Sequence, residues 1–172
     1  MAAQGEEAYV GLGSNLGDRR ARLAAAFSAL AALPGTTLAA RSSLYESAPL
    51  GAGGVPAPHG AAPGGDYLNA VARLRTTLAP LALLHALQAI EAAAGRERPY
   101  PNAPRNLDLD LLLYDDAEVA DAELILPHPR LHERAFVVVP LLEVAPDLRW
   151  RGGRLDALLP GLASQRLAKL DR

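Results

Sequence analysis

The chain has 172 residues, half of them hydrophobic and 21% charged, a balance that suits one globular domain and not a disordered chain. A formal net charge of −2 leaves no basic field to attract nucleic acid or a membrane surface. The absence of cysteine excludes disulfides, thiolate catalysis and cysteine-based zinc sites.

Ala8 to Leu12 is a short apolar run that predicts a buried strand, and the turn GSNLGD over Gly13 to Asp18 ends it. Asp18 is placed to cap a helix that carries Leu23, Ala26, Phe27, Leu30 and Leu33 at helical spacing and stops at Pro34-Gly35. Thr36 to Tyr45, rich in β-formers, predicts a second strand. Residues 51–65 are almost all Gly, Ala and Pro, the composition of a mobile loop or insertion. Tyr67 to Thr76 predicts a third strand, and Leu78 to Ala94 a helix with Pro80 in its first turn. The segment RERPYPNAPR (96–105) is an exposed, semi-rigid loop. Asn106 to Tyr114 predicts a fourth strand and Leu124 to Leu126 a short fifth. Arg130 to Val144 predicts a helix interrupted at Pro140, and Leu155 to Leu159 a short terminal helix. There are no internal repeats and no inter-domain linker, so residues 1–172 are expected to form a single domain. The order β-α-β-β-α-β is the ferredoxin-like pattern: an α+β fold with a mainly antiparallel sheet covered by helices, plus C-terminal helices.

The sharpest chemical signal is Asn106-Leu107-Asp108-Leu109-Asp110-Leu111. Side chains alternate along a strand, so Asp108 and Asp110 share a face, roughly 6–7 Å apart, with the leucines opposite. Like charges held that close repel, and a divalent cation of the Mg2+ or Mn2+ type, which takes oxygen ligands, removes the conflict. The bland alternative is the polar face of a half-exposed strand. Arginine supplies the context. Of 17 basic residues only Lys169 is lysine, and it lies near no glycine-rich turn, so a Walker lysine is excluded and phosphate handling falls to arginine and metal. Arg96, Arg98 and Arg105 border the two aspartates, and guanidinium forks grip phosphate oxygens bidentately. His128 and His132 are four apart, but Pro129 and the missing H-E-x-x-H order argue against zinc. His128 and Arg134 fit further phosphate contact better, and His132 fits a surface or capping role. The spacing of Gly11, Gly13 and Gly17 misses the dinucleotide fingerprint, and a tight strand-to-helix turn accounts for it. Tyr67 and Asn69, two apart on a strand, offer a ring and an amide that suit a flat heterocycle.

The stretches GLGSNLGDR, SSLYESAPLG, DYLNAV, IEAAAGRER, NAPRNLDLDLLLYDD and LPHPRLHERAFVVVPLLEVAPD, in this order from about Tyr9 to Asp147, resemble the 6-hydroxymethyl-7,8-dihydropterin pyrophosphokinase family of folate biosynthesis. The resemblance implies a ferredoxin-like α/β/α sandwich. It implies that Asp108 and Asp110 bind two magnesium ions bridging the ATP phosphates, and that Arg96, Arg98 and Arg105 belong to a catalytic loop closing over the triphosphate. It further implies ATP contacts at Glu91, His128 and Arg134. Pterin recognition is implied at Asn69, between the rings of Tyr67 and Phe136, with backbone contacts at Ser47 and Leu50. Pro101 and Asn102 depart from the basic residue and tryptophan common in the family, which bears on loop closure.

The implied reaction is transfer of diphosphate from ATP to the pterin hydroxymethyl group, releasing AMP. The expected partners are therefore ATP and 6-hydroxymethyl-7,8-dihydropterin, with no nucleic acid and no membrane, in a cytoplasmic monomer. The N-terminus lacks a secretory pattern, and no apolar run approaches the roughly 20 residues of a membrane helix. Two other classes stay open at this point. A nucleotidyltransferase on the same sheet would release pyrophosphate, and a non-catalytic metabolite-binding module would have no use for the aspartates and arginines together.

Overall fold

A computed structural model describes residues 5–15, 17–47, 67–95 and 107–170. The expected loops at 51–65 and 96–105, with Leu50, Arg96, Arg98, Pro101, Asn102 and Arg105, lie outside the described residues. In chain order the elements begin with strand β1 (Glu6–Ser14), helix α1 (Arg19–Ala31), β2 (Thr36–Arg41), β3 (Tyr45–Ser47), β4 (Tyr67–Thr76), α2 (Pro80–Ala93) and β5 (Asp108–Tyr114). They continue with β6 (Val119–Ala120), β7 (Ile125–Leu126), a 3-10 turn (Leu131–Glu133), α3 (Ala135–Val144), β8 (Arg149–Trp150) and β9 (Gly153–Arg154). A second 3-10 turn (Leu155–Leu158), α4 (Leu159–Leu162) and β10 (Leu167–Lys169) complete the described chain.

The main sheet runs β10-β3-β4-β1-β5, with β2 also paired to β4, and every pairing is antiparallel. Counting β2 and β3 as one broken strand, this order is consistent with the ferredoxin-like arrangement. Alternation along the central strands supplies two apolar faces. Ala8, Val10, Leu12, Leu68, Ala70 and Leu74 meet Leu23, Phe27 and Leu30 of α1 and Leu83 and Leu87 of α2 in one core. Tyr9, Val71, Leu112 and Leu113 meet Val137, Val138, Leu141 and Val144 of α3 in the other. Each fully buried leucine contributes about 1.5–3 kcal/mol of apolar transfer, which is what clamps the helices to both faces. Asp18 caps α1 as its composition predicts, accepting the Ala21 N–H at 3.0 Å.

Three expectations are corrected. The first strand does not end at Leu12: it stays extended through Ser14, because Gly13 is paired on both sides, to Asn69 of β4 and Asp108 of β5. The run Thr36 to Tyr45 is two strands, broken at Ser42–Leu44, where the Ser42 hydroxyl takes the Val71 N–H at 2.9 Å. The segment Arg130 to Val144 breaks at Arg134, and Pro140 lies buried inside α3; burial of the surrounding apolar face outweighs the roughly 3 kcal/mol that an interior proline costs. β10 and the β8-β9 hairpin were not expected; both are two or three residues long, too short to show a period.

Candidate active site

Two rows of paired residues build the floor on the α3 side of the sheet. One runs Tyr45, Asn69, Gly13, Asp108 across β3, β4, β1 and β5, and the next runs Val71, Gly11, Asp110 across β4, β1 and β5. Residues opposite one another in an antiparallel pair share a face, so the aspartates and Asn69 flank a strip of β1 that has no side chains. A Cβ on Gly13 would lie 3.4 Å from Asn69 Oδ1 and 3.8 Å from Tyr67 Cδ1. Glycine here keeps the floor open between the two halves of the site. With strands about 4.8 Å apart, Asn69 and Asp108 stand roughly 10 Å apart, about the span of a bicyclic heterocycle and its side arm.

Asn69 is 3% exposed. Its amide Nδ2 donates to Ser47 Oγ at 2.7 Å and to the Tyr45 carbonyl at 3.3 Å. Both amide hydrogens are thereby committed to β3, and Oδ1 is left over the Gly13 floor as an acceptor. Ser47 pairs with Tyr67 at the start of β4, while Phe136 sits in the first turn of α3. Asn69, Ser47 and Tyr67 thus gather at one end of the site, and Phe136 stands beside Arg134.

At the other end, Asp108 and Asp110 are half-buried at the start of β5, with Leu109 buried on the opposite face as the alternation predicts. Two carboxylates on an open edge suit a magnesium ion that takes its remaining oxygens from phosphate and water. Among the described residues no group of three acidic, histidine or cysteine side chains is placed to hold a metal ion. Asp110 lies within electrostatic reach of both His128 and Arg134.

Burial pushes the His128 imidazole below its ordinary pKa; the Asp110 carboxylate opposes this, and Arg134 and Arg130 add to it. Its Nδ1 accepts the Arg130 N–H at 3.1 Å, an arrangement that puts the neutral ring's proton on Nε2. Burial likewise lowers the Arg134 guanidinium, against the pull of Asp110 and Asp108. Arg134 lies 5.6 Å over the Phe136 ring, and its Nε is buried with no hydrogen-bond partner among the described residues. An unmatched buried donor beside two carboxylates is suited to an incoming anion. The segment between these two groups is held from behind: Gln165 accepts the Ala135 N–H at 2.9 Å and donates to the Glu133 carbonyl at 2.7 Å. His132 stacks on Trp150, with centroids 5.2 Å apart, which makes it a packing residue.

Glu91 is 5% exposed on α2, and its carboxylate accepts the Leu109 N–H at 2.9 Å. That N–H lies between the two aspartates on the sheet's edge strand, so Glu91 fixes the strand that presents them. The residues missed by sequence reasoning are Gly11 and Gly13, taken for a turn, and Ser43, Tyr45 and Glu143, which carry no local motif. A groove of about 470 Å³ lined by Glu7, Tyr9, Asp116 and Trp150 opens at the opposite end of β1 and holds none of the expected site residues.

Comparison with known proteins gives a consistent match. The 7,8-dihydro-6-hydroxymethylpterin-pyrophosphokinase family matches residues 9–146. The chain is 46% identical over 141 residues to the 2-amino-4-hydroxy-6-hydroxymethyldihydropteridine pyrophosphokinase of Methylorubrum extorquens, covering 82% of this chain and 84% of that one. It is 41% identical over 165 residues to the enzyme of the same name from Haemophilus influenzae, covering 95% and 98%. In fold it is similar to the Plasmodium falciparum HPPK-DHPS solved with pteroate, with a TM-score of 0.71 at 13% identity; the match covers 95% of this chain and 44% of that one. The chain thus spans less than half the length of that structure.

Proposed function

Because the chain belongs to the 7,8-dihydro-6-hydroxymethylpterin-pyrophosphokinase family, we propose that the floor between Asn69 and Asp110 is where it transfers diphosphate from ATP to the hydroxymethyl group of 6-hydroxymethyl-7,8-dihydropterin. The observation that carries this placement is the shared register of Asn69, Gly13 and Asp108. It puts an amide suited to a heterocycle and a carboxylate suited to a cation on one face, on either side of the side-chain-free Gly13.

Asn69 Oδ1 accepts an N–H from the pterin edge, and Tyr67 and Phe136 cover the ring faces. Ser47 acts by holding Asn69, and the backbone at Ser47 and Leu50 borders the ring. Asp108 and Asp110 hold two magnesium ions, whose chemistry is to neutralise the triphosphate and lower the pKa of the attacking hydroxyl. His128, through Nε2–H, and Arg134 donate to phosphate oxygens, and Glu91 keeps β5 in register. Arg96, Arg98 and Arg105 complete the phosphate contacts. The hydroxymethyl oxygen attacks the β-phosphorus in line, the diphosphate moves as a unit, and AMP departs. Such transfer rests on alignment and charge neutralisation, not on a covalent nucleophile. The deciding experiment is AMP release that depends on added hydroxymethyl pterin. Release of pyrophosphate in its place would mean nucleotidyl transfer and overturn this reading.

No described helix is long and apolar enough to cross a membrane. We take the protein to work as a cytoplasmic monomer with one catalytic domain and no nucleic-acid partner; a sedimentation measurement tests the monomer.

A further inference from the structure

Asn69 is oriented entirely by β3, through Ser47 Oγ and the Tyr45 carbonyl. Yet β3 has only three residues, and a break at Ser42–Leu44 separates it from β2. So short a strand is a poor anchor by itself. It pairs with β4 on one side and β10 on the other, and a carboxylate from another layer holds it as well. Glu143, on the last turn of α3, accepts the Tyr45 hydroxyl at 2.6 Å, the Ser43 hydroxyl at 2.8 Å and the Ser43 N–H at 3.0 Å to each of its oxygens. A negative charge near a helix C-terminus opposes the helix dipole, so packing alone would favour an apolar residue there. Hydrogen bonds from three donors in a row, all within residues 43–45, account for the carboxylate instead.

We propose that Glu143 is a positioning residue for pterin recognition: by gripping Ser43 and Tyr45 it fixes β3, and β3 in turn fixes the amide of Asn69. This rests on the reading of Asn69 as the pterin-binding amide. The path is short and continuous. The Tyr45 side chain binds Glu143 while its own carbonyl receives the Asn69 amide, so a shift of Tyr45 is passed directly to the recognition group. The side chain of Glu143 reaches Ser43 and Tyr45 at β3, whereas the phosphate-side groups Asp110, His128 and Arg134 stand on β5 and ahead of α3. Loss of Glu143 should therefore separate the two substrates.

The test is calorimetric titration at a temperature well below unfolding. One arm uses 6-hydroxymethylpterin in the presence of saturating magnesium and a non-hydrolysable ATP analogue; the other titrates the analogue alone. Glu143→Ala should raise the pterin Kd about tenfold and leave the analogue Kd within about twofold, the size expected for losing one or two net hydrogen bonds. Glu143→Gln keeps an acceptor for Tyr45 and should recover most of that affinity. Tyr45→Phe, which deletes only the hydroxyl, should weaken pterin about threefold; it decides the question if Glu143→Ala does not fold. Asn69→Ala is the control for the underlying reading, which fails if pterin affinity is unchanged. If Asn69→Ala weakens pterin while Tyr45→Phe and Glu143→Ala do not, or if Glu143→Ala weakens both ligands equally, the positioning role is overturned.

Discussion

Asp108 and Asp110 stand on a strand whose neighbouring side chains are leucines, and both lie within electrostatic reach of Arg134. Asp110→Ala should cut pterin-dependent AMP release at least about a thousandfold, since several kcal/mol of charge stabilisation are lost. The unfolding midpoint should stay near that of the wild type, because the side chain is only half-buried on the last strand of the sheet. Steady-state assay with a thermal melt checks both; an active variant would remove the metal assignment. Asn69→Ala should raise the pterin KM by about tenfold or more with kcat little changed, as loss of a ground-state contact requires. These residues were legible in the sequence because their chemistry is written locally: two aspartates at strand spacing, and an amide two positions from a ring. Glu143 was not, because its partner Ser43 is 100 positions away. No spacing rule reaches across such a gap.

At the scale of elements, β4 was read to its ends because a run of strand formers, Tyr67 to Thr76, stands between turn signals. β1 was read short because its glycines resemble a turn, and only pairing on both sides keeps them extended. Their role predicts that Gly13→Val will lower kcat/KM for pterin by at least about tenfold through obstruction of the floor. Far-UV circular dichroism should be unchanged, since a β-branched residue suits a strand. The other end of β1 carries a cross-strand ion pair. Glu7 meets Arg73 at 2.8 Å and Arg75 at 2.8 Å, and the Arg73 hydrogen bond leads the effects that hold its carboxyl below the usual range. A carboxyl whose folded pKa is depressed stabilises the fold above its unfolded pKa and loses that contribution as pH falls through the folded one. Partial exposure of all three side chains keeps the effect below about 1 kcal/mol. Urea titrations should show Glu7→Gln less stable than wild type at neutral pH, with the gap closing below about pH 4.

At the scale of the molecule, helices on both faces of the sheet fix which strand ends meet. β10 matters here as well: it covers the open side of β3, pairing Leu167 with Ser47 and Lys169 with Tyr45. Truncation after Arg166 spares Gln165 but bares that edge. It should lower the unfolding midpoint by several degrees, at about 2–4 °C per kcal/mol for a chain of this size. It should also promote self-association through β3, measurable by light scattering. The arginines divide along the same lines. Arg134 faces the aspartates, while Arg19, Arg73, Arg75 and Arg154 are spent on surface ion pairs.

By itself the sequence determined the order of the core β-α-β-β-α-β elements, the shared face of Asp108 and Asp110, and the group of residues able to meet a phosphate, because strand alternation and side-chain chemistry act within a few residues. The family, too, was legible in its strings. The tertiary structure alone decided that Asn69 and Asp108 share a row across Gly13, that Glu91 steadies the strand of the aspartates, and that Glu143 holds β3. Those relations follow from the order of strands in the sheet and from which helix covers which face. Both are set by burial of apolar surface summed over the whole chain, a quantity no local window contains.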